Sequence, residues 1–486
     1  MLTAITSFAN RAITDSFKGG FSRRLAMTGL SLEELRKLTH IAAPLIMASL
    51  VTMSISITDV IMIGRLGTVE LAAGAAASDF YSIFFYLAAG VIAATSPLIS
   101  QARGKQQFRS IKSITSQGLL AGMLTGVPAA LMVYHGSFFL GAIGVQQDIV
   151  TVAAPYSHMM AVAIFPMLAT MSAHHFLSAH GKTRIILYVT ACAMPVNIVG
   201  NYLLLYGNYS FPRLGLAGAG IATAITGAFM FITMVAYIAS QKRLRRYWYL
   251  PAASTGRIVQ FKEIFKIGLP IGICHVGEMG VFLFTTVTMG VFGAEVLAAH
   301  TIALRAAGVF YAVPLGYGQA ATVRIGYLSG KGHALLIQNA LTTIFAVTAM
   351  FGVILMLFIL AVKTSLPSLV LDASQMTDAV LVEASIFLTL LALMQFSINL
   401  GTVGAGALRG FKDTRLPMIY SLVSYWGFGF AGAMAMAFWF GLEGAGIWCG
   451  LLLATIAFAV AVWWRIYRYY WQTNSTHPLT SVFYCE

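Results

Sequence analysis

Hydrophobic residues in this chain form long runs that short polar segments separate. About twelve of these runs reach about 20 residues, which is the length that a helix needs to cross the apolar core of a bilayer. Their centres lie near residues 52, 85, 128, 164, 195, 227, 278, 312, 350, 393, 428 and 454. The pattern predicts an all-α membrane protein with twelve transmembrane helices, six in each half of the chain.

The second half of the chain repeats the first half at an offset of 226 residues. The offset aligns Pro44 with Pro270 and Gly90 with Gly316, and it also aligns GLAGAGI at 215–221 with GLEGAGI at 441–447. A repeat of this length predicts two pseudo-symmetric six-helix lobes. The predicted parts are a cytoplasmic tail at 1–35, an N-terminal lobe at 36–240, a cytoplasmic linker at 241–262, a C-terminal lobe at 263–468 and a cytoplasmic tail at 469–486.

Composition and charge agree with a membrane protein. Hydrophobic residues make up 58% of the chain and charged residues only 9%, and these proportions exclude a soluble domain. The net charge of +14 does not indicate a nucleic-acid partner, because the basic residues gather in alternate connections such as 103–112 and 242–246. The positive-inside rule then places both termini in the cytoplasm.

The start of the first helix and the cysteines give two further expectations. Ser31 and Glu34 have the spacing of a capping box, in which each side chain bonds to the backbone of the other residue. The four cysteines are scattered and indicate neither a disulfide framework nor a metal site; they are Cys192, Cys274, Cys449 and Cys485. We expect no bound metal and no cofactor.

Ionisable residues inside the predicted helices are the candidate functional residues. A charged side chain at the centre of a membrane helix costs roughly 2.5 kcal/mol or more, so Glu278 in the seventh helix is the candidate coupling site. Asp59 ends a polar stretch of the first helix, which predicts a face that lines a cavity. His275 precedes Glu278 by three residues, a spacing that places both side chains on one helix face. It either modulates the proton affinity of the glutamate or packs as a neutral ring.

Two further pairs of polar residues leave alternatives open. Asp79 in the second helix and Arg305 in the eighth helix are related by the repeat offset, so opposite charges occupy equivalent positions. They form either a gate or a substrate contact between the lobes, or each is satisfied by neighbours in its own bundle. Asn197 and Asn201 share a face of the fifth helix, where they fit either an interhelical hydrogen-bond cluster or a cavity wall.

Motifs of catalysis are absent from the sequence. The chain contains no hydrolase, metalloprotease or nucleotide-binding signature. We therefore predict that the protein is not an enzyme. Because there is no phosphate-binding loop, transport by this chain must draw on an ion gradient or a bound partner rather than on ATP.

Several segments together resemble a known family of transporters. The segments are TDVIMIG at 58–64, LAAH at 297–300 and LRGFKD at 408–413. They resemble the multidrug and toxic compound extrusion (MATE) transporters, in particular the NorM-like branch. The resemblance implies two six-helix lobes across a central cleft, and export of cationic, often aromatic compounds in exchange for sodium ions or protons. It also implies that Asp59, Glu278 and His300 stand at functional positions, with His300 in the cleft.

The chain departs from the pattern of that family at one acidic position. NorM-like members usually carry an aspartate ten residues before the Leu-Arg-Gly sequence of the tenth helix, and this chain has Ile398 there, between Ser397 and Asn399. A sodium site needs several oxygen ligands, so the loss favours a proton over sodium as the coupling ion. Asp79 and Arg305 also replace uncharged residues that are typical of the branch.

The sequence therefore predicts an antiporter, coupled to H+ or Na+, that exports small organic cations by alternating access around a site near the membrane midplane. We expect it to act as a monomer in the lipid bilayer. The alternative is a lipid-linked saccharide flippase of the related superfamily, which would need several arginines in its cavity, whereas only Arg305 is expected to be buried. A non-transporting receptor or scaffold is disfavoured by two repeats with intramembrane acids.

Overall fold

A computed structural model describes residues 31–248, 258–367 and 377–471 of the chain. Most of the predicted N-terminal tail, the middle of the linker and nearly all of the C-terminal tail lie outside the described residues, as does Cys485. Within the described ranges, twelve helices are long and apolar enough to cross a membrane. The prediction of an all-α protein with twelve transmembrane helices is confirmed.

Six helices come from each half of the sequence. The first half contains α1 (Leu32–Gly64), α2 (Thr68–Gly104), α3 (Phe108–Tyr134), α4 (Gln147–Ala179), α5 (Thr183–Tyr206) and α6 (Leu216–Ser240). The second half contains α7 (Gln260–Phe292), α8 (Ala294–Lys331), α9 (Ala334–Val362), α10 (Asp378–Gly410), α11 (Arg415–Trp439) and α12 (Glu443–Ile466). Two short helices, Gly136–Ala142 and Lys242–Arg245, lie between the long ones.

At the start of α1, only one of the two hydrogen bonds of the predicted capping box is present. The Ser31 side chain accepts a hydrogen bond from the backbone N–H of Glu34, which satisfies one free donor of the first turn. The Glu34 side chain does not return to Ser31, as a capping box would require. It pairs instead with Arg324 of α8, and the N–H of Ser31 donates to Thr343 Oγ1 of α9 at 3.3 Å.

The first turns of α1 and of α7 each pack into the core of the opposite lobe. Leu38 and Ala42 of α1 belong to the hydrophobic core that is built mainly from the second half of the chain. Ile264, Ile267 and Ile271 of α7 belong in turn to a core of the first half. Each lobe therefore completes its packing with a helix start that the other half supplies.

The interface between the lobes contains two helix crossings whose residues are related by the 226-residue offset. A Cβ atom added to Gly90 of α2 would lie 2.3 Å from Cα of Gly272 in α7, and one added to Gly316 of α8 would lie 2.4 Å from Cγ1 of Ile46 in α1. The second contact joins the residues that stand 226 positions after Gly90 and 226 before Gly272. The two helix crossings are therefore related by a pseudo-two-fold axis.

The lobes also meet at the end of the bundle that carries the basic residues, which we call the basic end. Gly104 and its repeat equivalent Gly330 touch there, since a Cβ atom on Gly104 would lie 2.9 Å from Cα of Gly330. Gln101 Nε2 of α2 donates to the carbonyl of Gly410 in α10 at 2.9 Å. The basic end is closed by packed backbone and by polar bonds between the lobes.

Candidate functional site

The first candidate site lies in the N-terminal lobe, around Asp59 of α1. Asn201 Nδ2 of α5 donates to Asp59 Oδ1 at 2.5 Å, and it also reaches Asn197 Oδ1 at 3.2 Å. Both asparagines are 1% exposed, whereas Asp59 is half-buried. Of the two alternatives for the asparagines, the structure shows the interhelical hydrogen-bond cluster, and this cluster holds the carboxylate against α5.

Hydroxyl groups from α2 and α4 stand near this carboxylate. Ser78 Oγ and Tyr156 OH lie 3.0 Å apart, and Tyr156 is close enough to Asp59 for an electrostatic interaction. The groups that interact with this carboxylate are thus neutral side chains of α5 and α4. Such a pocket can hold a proton or a cation on its carboxylate.

The second candidate site lies in the C-terminal lobe, around Glu278 of α7. Its Oε1 atom accepts from Cys274 Sγ at 3.5 Å and from Ser421 Oγ of α11 at 3.4 Å. Tyr311 of α8 and Tyr425 of α11 are also within electrostatic range of the carboxylate. Its hydrogen-bonding neighbours are therefore neutral thiol and hydroxyl groups rather than a second carboxylate, and Arg409 of α10 is a charged group that interacts with it electrostatically.

The neighbour of Glu278 on its own helix is Cys274 and not His275, which corrects the predicted pairing. The His275 ring lies against Tyr86 of α2, with ring centroids 6.5 Å apart, and no hydrogen bond joins it to Glu278 among the bonds between described residues. A helix has 3.6 residues per turn, so a residue four positions away lies closer to the same face than one three positions away. The packing alternative for His275 agrees with this placement.

His300 does not line a cleft, so that expectation is wrong. Its side chain is 0% exposed inside the C-terminal lobe. Nε2 lies 3.1 Å from Thr286 Oγ1, and the ring meets Trp448 edge-on at a centroid distance of 5.6 Å. The side chain joins α7, α8 and α12 within one lobe.

The position that is acidic in NorM-like sequences contributes no ligand in this chain. Ile398 is partly buried and packs against the core of the lobe. Of the two flanking polar residues, Ser397 donates to Thr455 Oγ1 at 2.8 Å and Asn399 donates to the carbonyl of Gln395 at 2.7 Å. Neither side chain turns towards Glu278, so the lost carboxylate is not replaced from α10.

Asp79 and Arg305 are exposed side chains on the two lobes, and the expectation that Arg305 is buried is wrong. Asp79 nevertheless has protein around it, and it interacts electrostatically with Arg305. No ion pair within 4.0 Å joins these two described residues. The alternative that each is satisfied within its own bundle is therefore not observed. We call the space that these two side chains border the inter-lobe cleft.

A metal centre is not formed by the described residues, where no group of three or more His, Cys, Asp or Glu side chains could hold an ion. Several polar residues of the sites escaped the sequence analysis. The four-residue spacing of Cys274 and Glu278 was a usable signal, because such pairs meet on a helix. Ser421 and Tyr156 gave no signal, since they reach the carboxylates from helices that are distant in sequence.

Comparison with known proteins identifies the family of this architecture. The family model MatE matches residues 44–203 and 270–434, two segments that begin 226 residues apart. The "Probable multidrug resistance protein NorM" of Mesorhizobium japonicum is 32% identical over 437 residues, which are 89% of this chain and 94% of that protein. The "Multidrug resistance protein NorM" of Burkholderia vietnamiensis is 33% identical over 430 residues, 88% of this chain and 92% of that protein.

Solved structures share the fold at lower sequence identity. The eukaryotic MATE transporter AtDTX14 has a TM-score of 0.82 at 20% identity, with 91% of this chain and 98% of that chain covered. The Vibrio cholerae MATE transporter VcmN in its bent form has a TM-score of 0.79 at 18% identity, with 89% and 96% covered. The arrangement of the twelve helices is thus one that has been seen in transporters.

Proposed function

This chain belongs to the MatE family of multidrug efflux transporters, and we propose that it is an ion-coupled antiporter that exports organic, mostly cationic compounds across the bacterial inner membrane by alternating access. The protein crosses the membrane several times, and we infer that it works as a monomer with both termini in the cytoplasm. The observation that carries the proposal is the presence of one half-buried carboxylate site in each lobe of a bundle that is closed at one end.

The closed end supports alternating access. The positive-inside rule places the basic end in the cytoplasm, so this arrangement would face outward. The glycine contacts and the bond between Gln101 and Gly410 would have to separate for the cleft to face inward. Because the crossings of α2 with α7 and of α8 with α1 are pseudo-symmetric, the two repeats can rock about them as units.

Glu278 is the proposed coupling residue, and a proton is the proposed ion. Sodium is a hard cation that prefers several oxygen ligands, whereas the hydrogen-bonding neighbours of Glu278 are one hydroxyl and one thiol. Burial makes the charged form of the Glu278 carboxyl costly and Arg409 offsets part of that cost, a balance that suits a group that takes up and releases a proton. Asp59 is the proposed second acidic site, where an organic cation or an ion would meet its counter-charge.

The flippase alternative gains no support from the described residues. A pyrophosphate would need several guanidinium groups in the cleft, whereas among the described residues Arg305 borders the cleft and Arg409 already interacts with the Glu278 carboxylate. The exposed carboxylate of Asp79 beside it would repel a phosphate. We therefore keep the export of organic compounds as the proposed function.

Transport into inside-out vesicles with one gradient imposed at a time tests this proposal. We expect uptake of a cationic dye to follow a pH gradient at constant sodium, and to be lost in Glu278→Gln, which mimics a permanently protonated group. Glu295→Gln is the matched control, because Glu295 is an exposed carboxylate at the start of α8. Uptake that follows sodium and ignores pH would refute the proton, and full proton-driven uptake by Glu278→Gln would refute the assigned residue.

A further inference from the structure

We propose that the inter-lobe cleft is built for zwitterionic compounds, which carry a cationic and an anionic group on one molecule, with Asp79 and Arg305 as their two counter-charges. This inference rests on the proposed export function and narrows the class of substrate. A cleft made only for cations would carry acidic groups on both walls. The exposed side chains that border this cleft include one of each sign, Asp79 and Arg305.

The first observation is that Asp79 and Arg305 lie at the same depth along their helices. Asp79 stands 11 residues after the first residue of α2, and Arg305 stands 11 residues after the first residue of α8. Each lies a further 11 residues before the glycine at its helix crossing, Gly90 or Gly316. At 1.5 Å per residue, both charges lie about 16 Å above the closed crossings. The two charges therefore stand at the same depth on their two helices.

The second observation is that neither Asp79 nor Arg305 forms an ion pair with another described residue. Some charged groups of the bundle form ion pairs, such as Lys412 with Glu263 at 2.7 Å and Arg465 with Asp413 at 2.9 Å. Asp79 and Arg305 are exposed, sense each other electrostatically and yet form no ion pair within 4.0 Å. Their hydrogen-bonding atoms are therefore open to a ligand that lies between them.

An aromatic surface below the charges completes the site. Tyr86 follows Asp79 by seven residues, which is about two helical turns, so it lies on the same face of α2. Its side chain is 43% exposed and its ring lies near His275 of α7. A planar aromatic body can pack on this surface while its ionic groups reach Asp79 on one wall and Arg305 on the other. A bare cation would meet the same aspartate but would be repelled by the arginine.

The test compares two dyes that differ by one esterified carboxyl group. Tetramethylrhodamine is a zwitterion near neutral pH, and its methyl ester is a cation only. We expect the purified protein to bind the zwitterion about tenfold more tightly in a fluorescence anisotropy titration, because a hydrogen bond to a charged group contributes roughly that factor. Arg305→Gln should abolish the preference while the ester binds at least as well as before. Asp79→Asn should weaken both dyes.

Two further variants separate recognition from damage to the fold. Arg213→Gln removes an exposed arginine outside the helices and should leave the preference intact. Asp79→Arg combined with Arg305→Asp should restore the preference that single variants lose, because the dye can bind in the reverse orientation. Thermal unfolding of each variant monitors folding. Equal or tighter binding of the ester by the unchanged protein, or an unchanged preference in Arg305→Gln, would overturn the inference while export in vesicles remained. Absence of transport for every compound would overturn the proposed function as well.

Discussion

The ion pair between Glu34 and Arg324 should control how firmly the basic end stays closed. Arg324 approaches both carboxylate oxygens of Glu34, and the side chains are only 13% and 6% exposed. The pair ties the start of α1 to α8 of the other half. Glu34→Gln keeps the shape of the side chain and removes its charge, so the buried guanidinium of Arg324 loses its counter-ion.

The structure sets the size of the effect. Removal of one partner from a buried ion pair costs about 3 to 5 kcal/mol, and each 1.4 kcal/mol is about a factor of ten in an equilibrium constant. The closed state should therefore become about a hundredfold to a few thousandfold less favoured relative to any state in which Arg324 reaches water. Removal of both partners should cost less than the two single changes together, because no buried charge is then left unpaired.

Labelling of a buried cysteine measures this opening. Ser100 is 0% exposed and faces Gly326 across the interface, so Ser100→Cys in a background without the native cysteines reacts with a maleimide only when the basic end separates. We expect Glu34→Gln to raise the labelling rate by about a hundredfold or more. Glu33→Gln is the matched control, because the Glu33 side chain is 76% exposed and pairs only with Lys37 at the surface.

One result would refute the reasoning. If Glu34→Gln labels no faster than Glu33→Gln, with both proteins folded, the ion pair does not hold the basic end closed. A variant that lacks both charged groups, Glu34 and Arg324, should label more slowly than the two single rate increases multiplied together. If it labels as fast as that product, an unpaired buried charge is not the cause of the opening. Either outcome would leave closure to the packed glycines.

Three other predictions follow from the packing and the hydrogen bonds. Asn201→Ala should weaken export of a cationic dye several-fold, because it removes the bond that orients Asp59, whereas Asn208→Ala in the loop should not; dye efflux from cells measures both. Gly330→Val should stop export and raise labelling at Ser100→Cys, since its Cβ would lie 2.2 Å from the carbonyl oxygen of Gln101. The control is Gly290→Val, where a Cβ meets open space. Burial, with a smaller effect of Arg103, lowers the pKa of His180 from 6.5 to about 4, so the contribution of His180 to the free energy of unfolding should fall as the pH drops from about 6.5 to 4 and stay constant above that range. His180→Gln should make the pH dependence of thermal unfolding shallower over this range.

The helices and the repeat could be predicted because each leaves a direct pattern in the sequence. Hydrophobic runs of membrane length specify the helices, and the constant offset specifies a symmetric interface. The contact of Gly104 with Gly330, its own repeat equivalent, is the kind of contact that such an offset favours. The acidic residues Asp59 and Glu278 stood out for a similar reason, since a charge within an apolar run is rare.

The surroundings of these residues could not be predicted. The sequence shows Arg305 within a long helix, but it does not distinguish a packed core from an aqueous cleft, because both occur among apolar neighbours. His275 and Cys274 differ by one position, which is about 100° around a helix, and a pattern does not fix the helix rotation that finely. The pair of Glu34 and Arg324 joins residues that are unrelated by the offset, so no repeat could reveal it.

The exchanged helix starts have a consequence for how the protein is made. When the ribosome has completed α6, the first lobe still lacks Ile264, Ile267 and Ile271, and Leu38 and Ala42 still lack the core into which they pack. The first six helices must therefore wait in the bilayer as an unfinished bundle until the second half has been inserted. Both lobes therefore complete their packing in one late assembly step. Two fragments divided at the linker should each be degraded when expressed alone, and should form a stable complex when expressed together.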